Sequence, residues 1–248
     1  MNARSQFVTP LVHSIAALGE VERREMFTLF ARYYDGTSYE RFASDFANKD
    51  WVLVLRDESG SLQGFSTLAV YERDFAGERV RVLFSGDTIV DERHWGQQAL
   101  AFAWLRLAGG IKAKRPKARL CWFLISKGHR TYRYLSAFSR EFHPAPGRTT
   151  PQRTRDLMNF LARDRFGEAY DSAAGILRFS GSPCRLRPDY TVIPEAHRRL
   201  PEVEFFLARN PGYASGDELV CLCELAADNL QPMARRAFLA GASAGLLP

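Results

Sequence analysis

Cysteine is scarce in this chain: four in 248 residues, at Cys121, Cys184, Cys221 and Cys223. None belongs to a C-x-x-C pair matched by a second pair, so a structural zinc site is not expected, and no metal ligand is assigned. Cys221 and Cys223 fall two apart within an apolar run, which puts both side chains on one strand face as reduced core thiols. Unpaired thiols of this kind imply a reducing compartment, and the expected location is the cytoplasm. No apolar stretch approaches the length of a membrane span. The run over 11–18 is broken by His13 and Ser14 and has no basic flank beyond Arg4, so it does not read as a signal peptide. H-E-x-x-H and the P-loop are missing, which removes the footing for a zincin or an NTPase. There is no internal repeat and no low-complexity segment.

What is present is an ordinary globular composition, 46% hydrophobic and 25% charged, in a chain long enough to bury a core without staples. The expectation is one domain over 1–248, with a core over about 20–143 and a C-terminal part, 144–248, that completes the sheet. The net charge of +6 hides an asymmetry, because residues 106–199 hold 20 Lys or Arg against 7 Asp or Glu. Such a field attracts polyanions: a nucleotide, nucleic acid or an acidic protein.

Apolar periodicity gives the element order. Met26, Leu29, Phe30 and Tyr33 define a helix over 21–34, closed by Asp35-Gly36. Thr37 and Glu40 form a T-x-x-E capping box that opens a second helix carrying Tyr39, Phe42, Ala43 and Phe46, ended by Asn48-Lys49-Asp50. Three strands follow, 51–55, 62–71 and 79–90, with short turns that make an antiparallel meander. A helix from Gly96 bears Leu100, Ala103, Trp104 and Leu107 on one face and stops at Gly109-Gly110. A buried strand, 120–125, enters the polar loop Ser126-Lys127-Gly128-His129, and a helix over 131–142 follows. Beyond the break at 143–147 the pattern gives a helix over 151–163, a strand over 176–180, a helix over 202–209, a strand over 218–225 and a helix over 232–240. The crossover after Val90 makes parallel neighbours of the strands ending at Val90 and starting at Leu120.

This order resembles the GNAT fold of acetyl- and acyltransferases, most closely over 20–143. The fold implied is α/β, a mixed and mostly antiparallel central sheet flanked by helices, with a C-terminal extension. Three segments carry the resemblance: the long strand ending Ser85-Gly86-Asp87-Thr88-Ile89-Val90, the strand 120–125 with its polar loop, and the tyrosine-bearing helix containing Tyr132 and Tyr134. In the family the strand-to-helix loop carries R/Q-x-x-G-x-G/A, whose amides wrap the pyrophosphate of coenzyme A. Here it reads Arg93-His94-Trp95-Gly96-Gln97-Gln98-Ala99-Leu100, which keeps Gly96 but places Gln98 where a small residue belongs.

The resemblance implies an N-acyltransferase with no tightly bound cofactor, in which an amine attacks the thioester of acyl-CoA or acyl-phosphopantetheine directly. Asp87 is the candidate base, or alternatively a strand-end carboxylate capping local amides. Tyr134 is the candidate acid, with Tyr132 second, and His129 is a further proton-transfer candidate in the loop facing the cleft. Ile89, Val90, Arg93, His94, Trp95, Gly96, Gln97 and Gln98 are the candidate donor-binding residues, joined by Lys127 and Arg130. The degenerate loop and the basic segment together favour an acyl carrier protein as donor partner over free acyl-CoA. The acceptor is a small-molecule amine. The alternative is a non-catalytic module of the same fold that binds nucleic acid or an acidic protein. Aromatic residues are not interleaved with the basic run at 112–119, as a stacking platform would require, so nucleic acid is not expected as a partner.

Overall fold

A computed structural model describes residues 10–181 and 184–244. The N-terminal residues 1–9 and C-terminal residues 245–248 of the expected domain therefore lie outside the described residues. The strands are β1 (Leu11–Ser14), β2 (Tyr34–Asp35), β3 (Trp51–Arg56), β4 (Leu62–Phe75), β5 (Glu78–Val90), β6 (Leu120–Ser126), β7 (Tyr170–Asp171), β8 (Ile176–Leu177), β9 (Arg185–Leu186) and β10 (Glu218–Glu224). The helices are α1 (Glu20–Tyr33), α2 (Tyr39–Ala47), α3 (Ala99–Ala113), α4 (His129–Phe138), α5 (Gln152–Phe166), α6 (Pro188–Thr191), α7 (Glu195–Arg198), α8 (Pro201–Arg209) and α9 (Pro232–Ala244).

Eight strands form one sheet in the order β1-β3-β4-β5-β6-β10-β8-β7, and β2 pairs separately with β9. The β3-β4-β5 meander is antiparallel, while β5 and β6 are parallel across the α3 crossover. All six strands expected from the sequence lie in this sheet, and the parallel pair falls where the crossover requires it. This is a GNAT-like α/β fold. Three differences have local causes. β1, read only as an apolar run, adds to the outer edge of β3. The strand expected over 176–180 pairs only at Ile176 and Leu177, within a short hairpin with β7. The second helix is capped by Ser38, whose hydroxyl accepts from the Arg41 N–H at 3.4 Å, one residue later than the expected Thr37.

Both sheet faces are covered, so the central strands are apolar throughout. On β6, Leu120, Trp122 and Leu124 face α3, α4, α8 and α9, whereas Cys121 and Phe123 face α5. Cys221 and Cys223 share the first of these faces and are free thiols. α1 and α2 cover β3 and β4 through Met26, Phe30, Phe42 and Phe46.

α3 does not stop at Gly109-Gly110 but runs through them to Ala113. A Cβ on Gly109 would overlap the carbonyl of Phe238 on α9, and one on Gly241 would overlap the carbonyl of Arg106 on α3. These glycines let two helix backbones touch, and that contact outweighs the roughly 1 kcal/mol by which glycine disfavours a helix interior. No helix among the described residues is long and apolar enough to cross a membrane. Much of the basic excess over 106–199 is matched by acidic residues from elsewhere, as in Arg119–Glu224 at 3.0 Å, Arg153–Glu78 at 2.9 Å and Arg187–Asp35 at 3.3 Å.

Candidate active site

The parallel ladder between β5 and β6 runs from Arg81↔Leu120 to Ser85↔Leu124 and ends there. On its other side β5 changes register against β4 between Ser66↔Thr88 and Leu68↔Ser85. Thr67 thus stands opposite two residues, Gly86 and Asp87, which is a β-bulge. A bulge bends its strand and re-aims its side chains, and here it coincides with the point where β5 leaves β6. The backbone edge of β5 past Ser85 therefore borders a gap in the sheet.

The gap opens on both faces. On the α1–α2–α5 side lies a cleft of about 840 Å³ lined in part by Asp45, Lys49, Asp87, Lys127 and Arg165. On the α3–α4 side is a small, mainly apolar pocket of about 40 Å³ that includes Trp104, Trp122, Tyr134 and Phe138. Gly86, Thr88, Ile125 and Thr131 line both, so they mark the passage through the sheet.

Asp87 faces the larger cleft and makes no hydrogen bond or ion pair among the described residues. Burial, with the nearby Asp45 carboxylate, raises its pKa to about 6, against the opposing pull of Lys49 and Lys127. Lys49 is buried and donates to the Asp45 carboxylate at 2.6 Å. Lys127 pairs with Glu218 at 2.8 Å; burial alone would lower its pKa, but the Glu218 carboxylate more than reverses this. Tyr134 lines the opposite pocket, its pKa raised by burial, and its hydroxyl has no hydrogen-bond partner among the described residues. The bulge thus brings Asp87 to one mouth of the passage while α4 holds Tyr134 at the other.

Other sequence-derived candidates sit elsewhere. Tyr132 is fully buried and its hydroxyl donates to the Pro144 carbonyl at 2.8 Å, so it is a packing residue. His129, expected in the loop facing the cleft, is instead the first residue of α4 and lines neither mouth. It is buried beside His197, with ring centroids 5.8 Å apart, and burial lowers its pKa to about 4. Ile89 is buried in the α1–α2 layer, and Val90 accepts a hydrogen bond from Trp95 Nε1 at 2.9 Å. The Arg93 guanidinium holds Asp91 at 2.8 Å and Gln63 at 3.3 Å. His94 is buried against Gln63 at 3.1 Å and lies 3.5 Å from Gln97. Gly96 is exposed with φ +90°, a conformation that favours glycine, and Gln98 precedes α3 without a side-chain cap. Arg130 stacks on Trp95 at 3.5 Å from the ring centroid, tying the start of α4 to the β5–α3 loop.

Sequence reasoning missed Lys49, Asp45, Thr131 and Arg165. Lys49 read as part of a helix-ending triplet, and nothing local signals that its side chain reaches Gly86. A Cβ at Gly86 would stand 2.5 Å from Lys49 Cε, so the glycine makes room for the lysine.

No family model matches the chain, and no curated protein does. Solved structures match parts of it. A conserved protein of unknown function from Enterococcus faecalis V583 aligns at 19% identity and TM-score 0.40, over 54% of this chain and 33% of the other. The chain thus spans about one third of that protein's length. A GNAT family N-acetyltransferase from Escherichia coli, in complex with CoA, aligns at 16% identity and TM-score 0.37, over 53% of this chain and 69% of the other. Glucosamine-6-phosphate N-acetyltransferase from Arabidopsis thaliana aligns at 14% identity and TM-score 0.35, over 53% and 89%. The fold assignment rests on the strand order and the position of the parallel pair.

Proposed function

We propose that the protein is an acyltransferase that moves an acyl group from a pantetheine thioester to an amine by direct attack. The observation that carries this is the gap beyond Ser85↔Leu124, with a carboxylate, Asp87, at one mouth and a phenol, Tyr134, at the other, neither with a hydrogen-bond partner among the described residues. The thioester arm enters from the α3–α4 side and lies along the freed edge of β5, whose backbone groups can pair with its amides. The acceptor enters from the larger cleft. Asp87, with a pKa of about 6, removes a proton from the amine near neutral pH. The C–N bond forms as the C–S bond breaks, and Tyr134 protonates the departing thiolate. Positioning of the two reactants supplies much of the rate.

An acyl carrier protein is the preferred donor. The β5–α3 loop supports this, because Arg93 and His94 are engaged within the protein and Trp95, Gln97 and Gln98 are bulky for a loop that must wrap a pyrophosphate. A phosphopantetheine arm carries no pyrophosphate and needs no such wrap. Acyl transfer measured with matched acyl-CoA and acyl-carrier donors tests the preference. The carrier should give the higher kcat/KM, and its advantage should shrink as salt screens the encounter. Equal or better turnover with free acyl-CoA at low salt contradicts it.

A further inference from the structure

The charged residues around the larger cleft are mostly paired with each other. Lys49 meets Asp45 at 2.6 Å, Arg73 meets Asp164 at 2.8 Å, and Lys127 meets Glu218 at 2.8 Å. Arg41 is turned to the Gly36 carbonyl at 3.3 Å. Of the remaining charged side chains on the cleft wall, the carboxylate Asp87 and the guanidinium Arg165 have no ion pair among the described residues. Arg165, one residue from the end of α5, has its guanidinium carbon over the Phe84 ring at 4.0 Å from the centroid, and Tyr71 and Phe166 are also near. An arginine held over an aromatic ring keeps N–H donors, beyond any shared with the neighbouring Tyr71 hydroxyl, for an oxyanion. The same Phe84 ring has Lys49 Nζ at 5.7 Å. Phe84 precedes the bulge by two residues, so one ring links the guanidinium to the strand segment that carries Asp87.

Resting on the acyl-transfer reading, we infer that the acceptor is an amine that also carries a carboxylate or phosphate, its oxyanion bound by Arg165 and its amino group presented to Asp87. An uncharged amine would leave Arg165 without a partner, and an anion without an amine would meet Asp87 as a like charge. A molecule bearing both groups satisfies each. Charge complementarity of this kind favours the matched ligand over its neutral analogue, because the analogue leaves the half-buried Arg165 guanidinium without a counter-charge.

Calorimetry on the full-length protein loaded with phosphopantetheine tests this with two matched pairs: β-alanine against β-alaninamide, and phosphoethanolamine against ethanolamine. In at least one pair the anionic amine should bind at least tenfold more tightly, and the pair that does so tells carboxylate from phosphate. Arg165→Gln should abolish that difference, and Arg165→Lys should keep part of it, since an ammonium retains charge but not the planar fork. The inference is overturned if neither anionic amine binds, if the neutral partners bind equally well, or if Arg165→Gln keeps the preference. Phosphopantetheine binding is titrated separately. Its absence beside an intact, Arg165-dependent anion preference would remove the acyl-transfer reading and leave the anion site standing.

Discussion

Lys49 Nζ donates to the Asp45 carboxylate at 2.6 Å and to the Asp45 carbonyl at 3.1 Å, while its terminal carbon fills the space a side chain on Gly86 would need. A buried cation thus stands beside the bulge that carries Asp87, and its field opposes the rise of that carboxyl's pKa. In the acyl-transfer account burial sets the pH at which Asp87 becomes a base, and Asp45 and Lys49 adjust it in opposite directions. The kcat/KM profile should rise with pH through an apparent pKa of about 6. Asp87→Asn should lose this limb and most turnover, and Lys49→Met should move the limb upward. A limb unchanged in both variants contradicts the assignment.

Asp87 also makes a stability prediction of opposite sign to its catalytic one. Its folded pKa of about 6 lies above the unfolded value near 3.9, so the fold disfavours the ionised form. The resulting destabilisation is absent below pH 4, grows as pH rises through 4 to 6, and is complete above that. Asp87→Asn should therefore be more stable than wild type at pH 8, by on the order of 1–3 kcal/mol, and the gain should vanish at pH 4. Urea melts at the two pH values measure it.

His129 acts in the other direction. Its folded pKa of about 4 lies below the unfolded value near 6.5, because burial disfavours the imidazolium. Its contribution holds above pH 6.5 and is lost as pH falls toward 4. His129→Asn should flatten that acid-side decline by on the order of 2–3 kcal/mol while leaving acyl transfer near wild type, since the ring lines neither mouth of the cleft. Turnover lost in proportion to a catalytic role would return His129 to the site.

The β4–β5 hairpin turns on two residues with positive φ, Ala76 at 49° and Gly77 at 79°. This is the backbone that favours Asn-Gly, and alanine is strained in it. Ala76→Asn should raise stability by roughly 0.5–1 kcal/mol without affecting activity, read from the shift in denaturation midpoint.

The sheet was legible in the sequence because period-2 and continuous apolar runs differ from the 3.6-residue spacing of the helices, and because a helical crossover dictates a parallel pair. What the sequence hid was long-range. Gly109-Gly110 has the local signature of a helix stop, yet Gly109 makes room for α9, more than a hundred residues away. His129 follows a glycine in a polar loop, as an exposed histidine would, yet it is buried beside His197, a residue distant in sequence. Asp87 and Tyr134 could be singled out because the bulge and the α4 face lie in segments that carry the resemblance. Lys49 and Arg165 could not, because each reaches the cleft from an element far away in sequence.

The claim at the centre of this account is that a pantetheine thioester threads the passage between β5 and β6. The most direct test is titration of the protein with acetyl-phosphopantetheine, which is common to both donor types, beside the variant Thr131→Trp. Thr131 lines both mouths of the passage, so an indole there should plug it while leaving the core untouched. The account predicts saturable one-site binding to wild type and a loss of at least tenfold in the variant, with an unchanged melting temperature. No binding to wild type, or equal binding to both proteins, would contradict it.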